Sequence, residues 1–422
     1  MADRSIAPEI SLPGELTVPE ARKITTAKGI PILVVEGGTQ SVVRIEFIFD
    51  AGSRWSDRPL IAHATNDLLD EGTQMRSSAE LAEALDFHGA YLQSESGPDW
   101  SSITLFSINR FVAESLPLVF ELLESPAFPD DEIRTYSRQG KQRLTVSLNK
   151  VDVLARRAFL QSLFGGHSAY GKATQPEDYD NLNREQVVHF YNERYVQHLH
   201  AVLVAGLPSS DVIHSIVQWI ESAPFVNTGK NGTSFVENPE PAHVHIDKPD
   251  AIQSAIRIGR RIFNRKHPDY PAFSVLNTVL GGYFGSRLMT NIREDKGFTY
   301  GIGSGLASLH DDGYFFISTE VGKDVCIPAI SEIYLELGRL RDELVGEEEL
   351  YRVKNYMTGT YQRSLDGPFA LADRHKMLYL NSLDSNYLSR FFSSIREVQP
   401  EDLRRCAREY LQDSMLWQVI AG

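Results

Sequence analysis

Residues 181–206 read NLNREQVVHFYNERYVQHLHAVLVAG, and residues 397–422 read EVQPEDLRRCAREYLQDSMLWQVIAG. Each opens on a polar cap, runs as an amphipathic helix to a tyrosine (Tyr195, Tyr410), and ends in an apolar strand that stops at Ala-Gly. Pro400 stands at a helix start, where the missing N–H costs nothing. The same order at the ends of two long stretches implies a duplicated unit.

Working outward, FVAESLPLVFELLESPAF (111–128) and DDEIRTYSRQGKQRLTVSL (130–148) match the helical register of CIPAISEIYLELGRLRDELVGEEELYRVKNYMTGTYQRSL (326–365). Each half begins with alternating strand-like runs, GIPILVVEGGTQSVVRIEFIFDAG (29–52) and AHVHIDKPDAIQSAIRIGRRI (242–262). Between them lies APFVNTGKNGTSFVENPEP, rich in Gly, Asn and Pro and without an apolar period. The expected division is therefore a domain over 1–222, a linker over 223–240 and a second domain over 241–422. Helices in blocks beside antiparallel strands predict an α+β fold, each domain an antiparallel-rich sheet with helices on one face. The halves are expected to face each other like the shells of a clam.

Composition bounds the function. The chain has 422 residues, 42% of them hydrophobic and 23% charged, as in ordinary globular proteins. A net charge of -14 with no long basic run argues against a nucleic-acid partner. Cys326 and Cys406 lie too far apart in sequence for a paired zinc motif and read as structural thiols. With neither a signal-like start nor an apolar run long enough to span a bilayer, the expectation is a cytoplasmic protein without a membrane partner, or a periplasmic one if a leader has been removed.

The stretch LIAHATNDLLDEGT (60–73) places His63 and Asp67 four residues apart on one helix face, with Asn66 beside them. Two imidazoles at that spacing with a carboxylate between them are how an H-x-x-E-H helix binds zinc and holds a general base. Here the second imidazole and the carboxylate are absent. Read alone, the segment is equally an amphipathic helix with a surface histidine.

In its wider setting, AGSRWSDRPLIAHATNDLLDEGT resembles the N-terminal motif of the pitrilysin-type (M16) zinc peptidases, the inverzincins. The resemblance implies the M16 (LuxS-like) metallohydrolase fold. It makes His63 the one surviving ligand, puts Asn66 at the base position and Asp67 at the second histidine. A third ligand, a downstream glutamate in the family, falls near Arg143. Asparagine cannot take a proton from water at neutral pH, and catalytic zinc uses three protein ligands. No metal is expected on this chain.

The second half carries LGGYFGSRLMTNIREDKGFTYGIGSG (280–305). This resembles the family's pattern S-R-L-x-x-x-x-R-x-x-x-G-x-x-Y, with Ser286, Arg287, Leu288, Arg293, Gly297 and Tyr300 in place. The resemblance implies that Arg293 and Tyr300 reach a substrate carbonyl, with Ser286 and Arg287 in the same substrate-binding element. A guanidinium and a phenol so aimed stabilise an oxyanion. Two other readings stay open: Arg293 as a C-terminal helix cation, with Gly297 as a left-handed stop and Tyr300 in the core, or the glycine runs as phosphate loops.

M16 chains of this size form clam-like dimers in which often one chain bears H-x-x-E-H and the other the Arg/Tyr pair. The resemblance therefore implies a zinc-free subunit of a heterodimeric peptidase, with Zn2+ in an H-x-x-E-H partner, or a homodimer when isolated. The alternative is a scaffold or peptide-binding chain without enzymatic activity. A third reading, a metal enzyme built on His63 and Asp67, has no further ligand in view. The alternating pairs His198/His200 and His243/His245 read as surface or interface residues.

Overall fold

The computed structural model describes residues 18–226 and 240–422. Most of the expected linker (227–239) and the first 17 residues lie outside the described residues.

Arg22–Thr25 (β1), Pro31–Glu36 (β2), Val42–Phe49 (β3), Tyr91–Ser96 (β4), Ser101–Ile108 (β5) and Leu199–Gly206 (β6) form one sheet. Its order is β1-β2-β6-β3-β5-β4. His243–Ile246 (β7), Gln253–Ile262 (β8), Ile302–Ser308 (β9), Gly313–Gly322 (β10) and Trp417–Ala421 (β11) form the other, in the order β7-β11-β8-β10-β9. Apart from the added edge strand β1, the two orders are one pattern. Neighbours pair antiparallel except β2 with β6 and β7 with β11, which are parallel in both sheets.

The helices repeat as well. In the first half they are Pro59–Asp67 (α1), Ser78–Phe87 (α2), Val112–Glu124 (α3), Asp130–Ser147 (α4), Val151–Phe164 (α5), Pro176–Asp180 (α6), Arg184–Arg194 (α7) and Ser210–Ser222 (α8). In the second they are Tyr270–Asn277 (α9), Cys326–Asp342 (α10), Glu347–Arg363 (α11), Gly367–Leu380 (α12), Tyr387–Glu397 (α13) and Pro400–Tyr410 (α14). Both tyrosine-terminated helices (α7, α14) and both Ala-Gly strands (β6, β11) fall where the sequence period places them. No described helix is long and apolar enough to cross a membrane.

Strand β3, VVRIEFIF, is buried almost throughout because both faces of its sheet are covered. Val43, Ile45, Phe47 and Phe49 join the main core with Leu116 and Val119 of α3, Tyr191 of α7 and Ile216 and Trp219 of α8. The other face is covered from the opposite half: Ala372 of α12 packs on Leu33, Val35, Leu203 and Ala205. Reciprocally, α5 lays Val151, Ala155, Phe159 and Leu163 against Ala255, Trp417, Val419 and Ala421 of the second sheet. Each large apolar side chain buried this way contributes about 1.5–3 kcal/mol. The halves therefore exchange equivalent helices.

Polar ties reinforce the exchange. On β3, Arg44 and Glu46 turn toward α12, where Arg44 meets Asp373 at 2.7 Å and Lys376 meets Glu46 at 2.9 Å. A second tie is Arg54, whose Nη1 donates to Asp99 at 2.8 Å and Nη2 to Asp311 of the β9–β10 turn at 2.5 Å.

Candidate functional site

The Gly52-Ser53-Arg54 turn fixes the start of α1. A Cβ on Gly52 would come within 2.4 Å of the Asp99 backbone, so only glycine lets this turn lie against the β4–β5 turn. The N–H groups of Ser53 and Arg54 donate to the carbonyls of Gly97 and Pro98. Helix α1 then begins with Pro59 in its first turn and carries His63, Asn66 and Asp67.

These three side chains do different things. His63 is half-buried and Asp67 reaches solvent. Asn66 is wholly buried: the Tyr195 hydroxyl donates to its Oδ1 at 2.9 Å, and its Nδ2 donates to the Ser102 carbonyl at 3.5 Å. Its amide spans α1, β5 and the end of α7, a task that uses both a donor and an acceptor.

Asp67 accepts a hydrogen bond from the Tyr136 hydroxyl at 3.0 Å. Desolvation by the surrounding walls raises its carboxyl above the usual range, against the opposing pull of Tyr136, His63 and Arg143. Burial likewise lowers the His63 imidazole, with the charge of Asp67 offsetting part of that effect. Arg143 of α4 is thus close enough to act on Asp67, on Tyr136 and on Tyr179 of α6. Arg143, near which the family resemblance put the third ligand, acts on the Asp67 carboxyl.

Around His63 stand one imidazole, one carboxylate, a phenol and a guanidinium. This falls short of three protein ligands for catalytic zinc, and the guanidinium opposes a cation. Among the described residues no group of three or more His, Cys, Asp or Glu side chains is placed to hold a metal ion. The other histidines have separate settings. His200 lies 3.0 Å from Asp50 and beside the Tyr379 ring, and His243 and His245 sit on edge strand β7.

The second cluster is built on irregular helix. After α9 the chain makes a π-helical turn at Thr278–Gly282, and a second one at Met289–Asp295 carries Arg293. Single π turns recur at functional sites because they re-aim side chains. Gly297, with φ +66°, ends the run, as the helix-stop reading expected. Ser286 is 1% exposed and starts this run through the Thr290 N–H, which donates to its carbonyl. Arg287 is gripped by both carboxylate oxygens of Glu349 at 2.9 and 2.8 Å. Both support the turn from inside.

Arg293 and Tyr300 point elsewhere. The Arg293 guanidinium lies over the Phe284 ring at 4.6 Å. Tyr300 is 94% exposed just before edge strand β9, which removes the reading of it as a core residue. Among the described residues, no hydrogen bond or ion pair engages the Arg293 guanidinium or the Tyr300 hydroxyl, and none joins either to His63. Strand β9, about 23 Å long at its seven residues, separates Tyr300 from the turn where Asp311 meets Arg54.

Residues 181–357 match a family model described as Peptidase M16 inactive domain. Over that stretch the chain is similar to the M16 peptidase type. An uncharacterized zinc protease of Bacillus subtilis (strain 168), YmxG, is 22% identical over 90% of this chain and 96% of its own. A peptidase M16 inactive domain from Pseudomonas fluorescens superposes with TM-score 0.85 at 22% identity, covering 95% of this chain and 98% of that one. A protease from Helicobacter pylori gives TM-score 0.86 at 17% identity, over 96% of this chain and all of the other. The M16-type fold extends over nearly the whole chain, beyond the matched domain.

The sequence missed the use of Asn66 as a buried tie, and Tyr136 and Phe284 as members of the two clusters. For Tyr136 a signal existed, since it lies seven residues, two helical turns, before Arg143 on α4.

Proposed function

We propose that this M16-type chain is the zinc-free subunit of a two-chain metallopeptidase. Its partner supplies the H-x-x-E-H helix, the Zn2+ and the base that activates water. This chain supplies Arg293 and Tyr300, which donate to the scissile carbonyl of a bound peptide and stabilise the oxyanion as water adds. The reading rests chiefly on one observation: a guanidinium and a phenol, both without hydrogen-bond partners among the described residues, beside an open sheet edge.

Edge strand β9 leaves backbone groups for an extended peptide to pair with, an interaction that binds main chain without reading much sequence. The Asn66 environment supports the division of labour, because an amide held by Tyr195 and Ser102 cannot serve as a base.

The test is peptide cleavage by this chain together with the chain that co-purifies with it. Arg293→Ala and Tyr300→Phe should each lower the rate by roughly 10²–10³. Near-parental rates for both would sink the proposal. A co-purifying chain lacking H-x-x-E-H would favour the scaffold alternative.

A further inference from the structure

Phe284 is a large apolar side chain left 62% exposed in the loop between the two π-helical turns. Packing does not account for it, since its neighbours Ser286 and Leu288 supply the buried contacts there. What Phe284 does touch is Arg293, whose guanidinium carbon stands 4.6 Å from the ring centroid.

Three carboxylates that α10 and α11 present to this turn, Glu332, Glu336 and Glu349, are already engaged. Asn291 donates to Glu332 at 3.0 Å and to Glu336 at 2.7 Å; Arg339 also holds Glu336, and Lys296 lies 3.3 Å from Glu332. Glu349 is taken by Arg287. This network anchors the π turn from beneath and withholds its acids from Arg293. A carboxylate would hold a guanidinium more firmly, but it would occupy the N–H edges. An aromatic face holds the charge through the ring and leaves those edges open.

We infer that Phe284 is a positioning residue: its ring confines the Arg293 guanidinium while leaving the hydrogen-bond donors for an extended peptide carbonyl. The assignment rests on the carbonyl-binding reading of Arg293. It adds that the readiness of Arg293 depends on a residue that never touches the reacting atoms. Pre-ordering one long side chain in this way is worth a few-fold in binding or rate.

The test is a double-mutant cycle on peptide cleavage by the native two-chain complex. Phe284→Ala should lower kcat/KM about three- to tenfold. Phe284→Trp should restore it, and Phe284→Ala should cost nothing further in an Arg293→Ala background. A loss that persists in that background, or that Trp fails to restore, overturns the inference.

A second arm needs no activity. Crystal structures of the full chain should show Arg293 in one position with Phe or Trp at 284 and spread over several in Phe284→Ala. An Arg293 equally fixed in Phe284→Ala overturns the positioning role. If Arg293→Ala leaves cleavage intact while Phe284→Ala still releases the guanidinium, positioning stands and the carbonyl-binding reading falls.

Discussion

Replacing Arg54 by Met removes the counter-ion shared by the two halves. The Arg54 and Asp99 side chains are 4% and 7% exposed, while that of Asp311 is 29% exposed. After the change, Asp99 keeps the Tyr170 hydroxyl at 2.7 Å and the His310 N–H at 3.2 Å, and Asp311 keeps His310 Nδ1 at 2.7 Å and contact with water. Removing one partner of a buried ion pair costs about 3–5 kcal/mol, and the bonds left to Asp99 place this case near about 3 kcal/mol. At about 2.1 cal/mol/K per residue, a chain of 422 residues unfolds with an entropy of about 0.9 kcal/mol/K, so Tm should fall by about 3 °C. Urea unfolding and calorimetry measure both quantities. Adding Asp99→Asn to Arg54→Met should recover about 2 kcal/mol, because the uncompensated charge is gone. A single variant within about 0.5 kcal/mol of the parent, or a double variant no more stable than the single, would refute the reasoning.

Other perturbations have equally definite outcomes. Lys376→Met strands Glu46, which is 2% exposed with Arg44 as its remaining cation at 4.0 Å, and should cost about 2–3 kcal/mol in urea unfolding; Glu46→Gln added to it should return most of that. Asp67→His combined with Arg143→Glu would give the helix a second imidazole and replace the opposing cation by a carboxylate. That chain should retain close to one zinc by elemental analysis and still not cleave peptide, since Asn66 is unchanged. Burial first, then the charges of Glu71 and Asp67, raises the Asp70 carboxyl to about 6. A raised acid binds more protons folded than unfolded, so its contribution weakens as pH climbs from about 4 to 6 and stays lower above. Asp70→Asn should therefore stabilise the chain by about 1 kcal/mol at pH 8, after discounting for partial exposure, and change little at pH 4.

The duplication was legible because helix and strand periods repeat in one order, and the ends of α7, β6, α14 and β11 fall where caps and Ala-Gly stops put them. The exchange of α5 and α12 was not. Val151, Ala155, Phe159 and Leu163 declare a buried helical face, but periodicity does not say which sheet buries it. The pairing of Arg54 with Asp311, 257 residues apart, has no local signal either. At the site, residue types were readable and burial was not. Asn66 read as a lost base and turned out to be a core tie, whereas Tyr300 could have been core or surface until its exposure was seen. The π turn that carries Arg293 is tied to α10 through Asn291, and the residues before it to α11 through Arg287, contacts that leave no period in the sequence.

The exchanged helices also bear on ancestry. A single-sheet chain half this length would leave one sheet face bare, and two copies could cover both bare faces by trading the helix equivalent to α5 and α12. That is a domain-swapped dimer, in which identical elements change places between protomers. Fusing the two copies end to end would preserve every swapped contact and free each copy to diverge. One copy could then change at positions such as Asn66 and Asp67 while the other kept Arg293 and Tyr300, with the shared core left undisturbed.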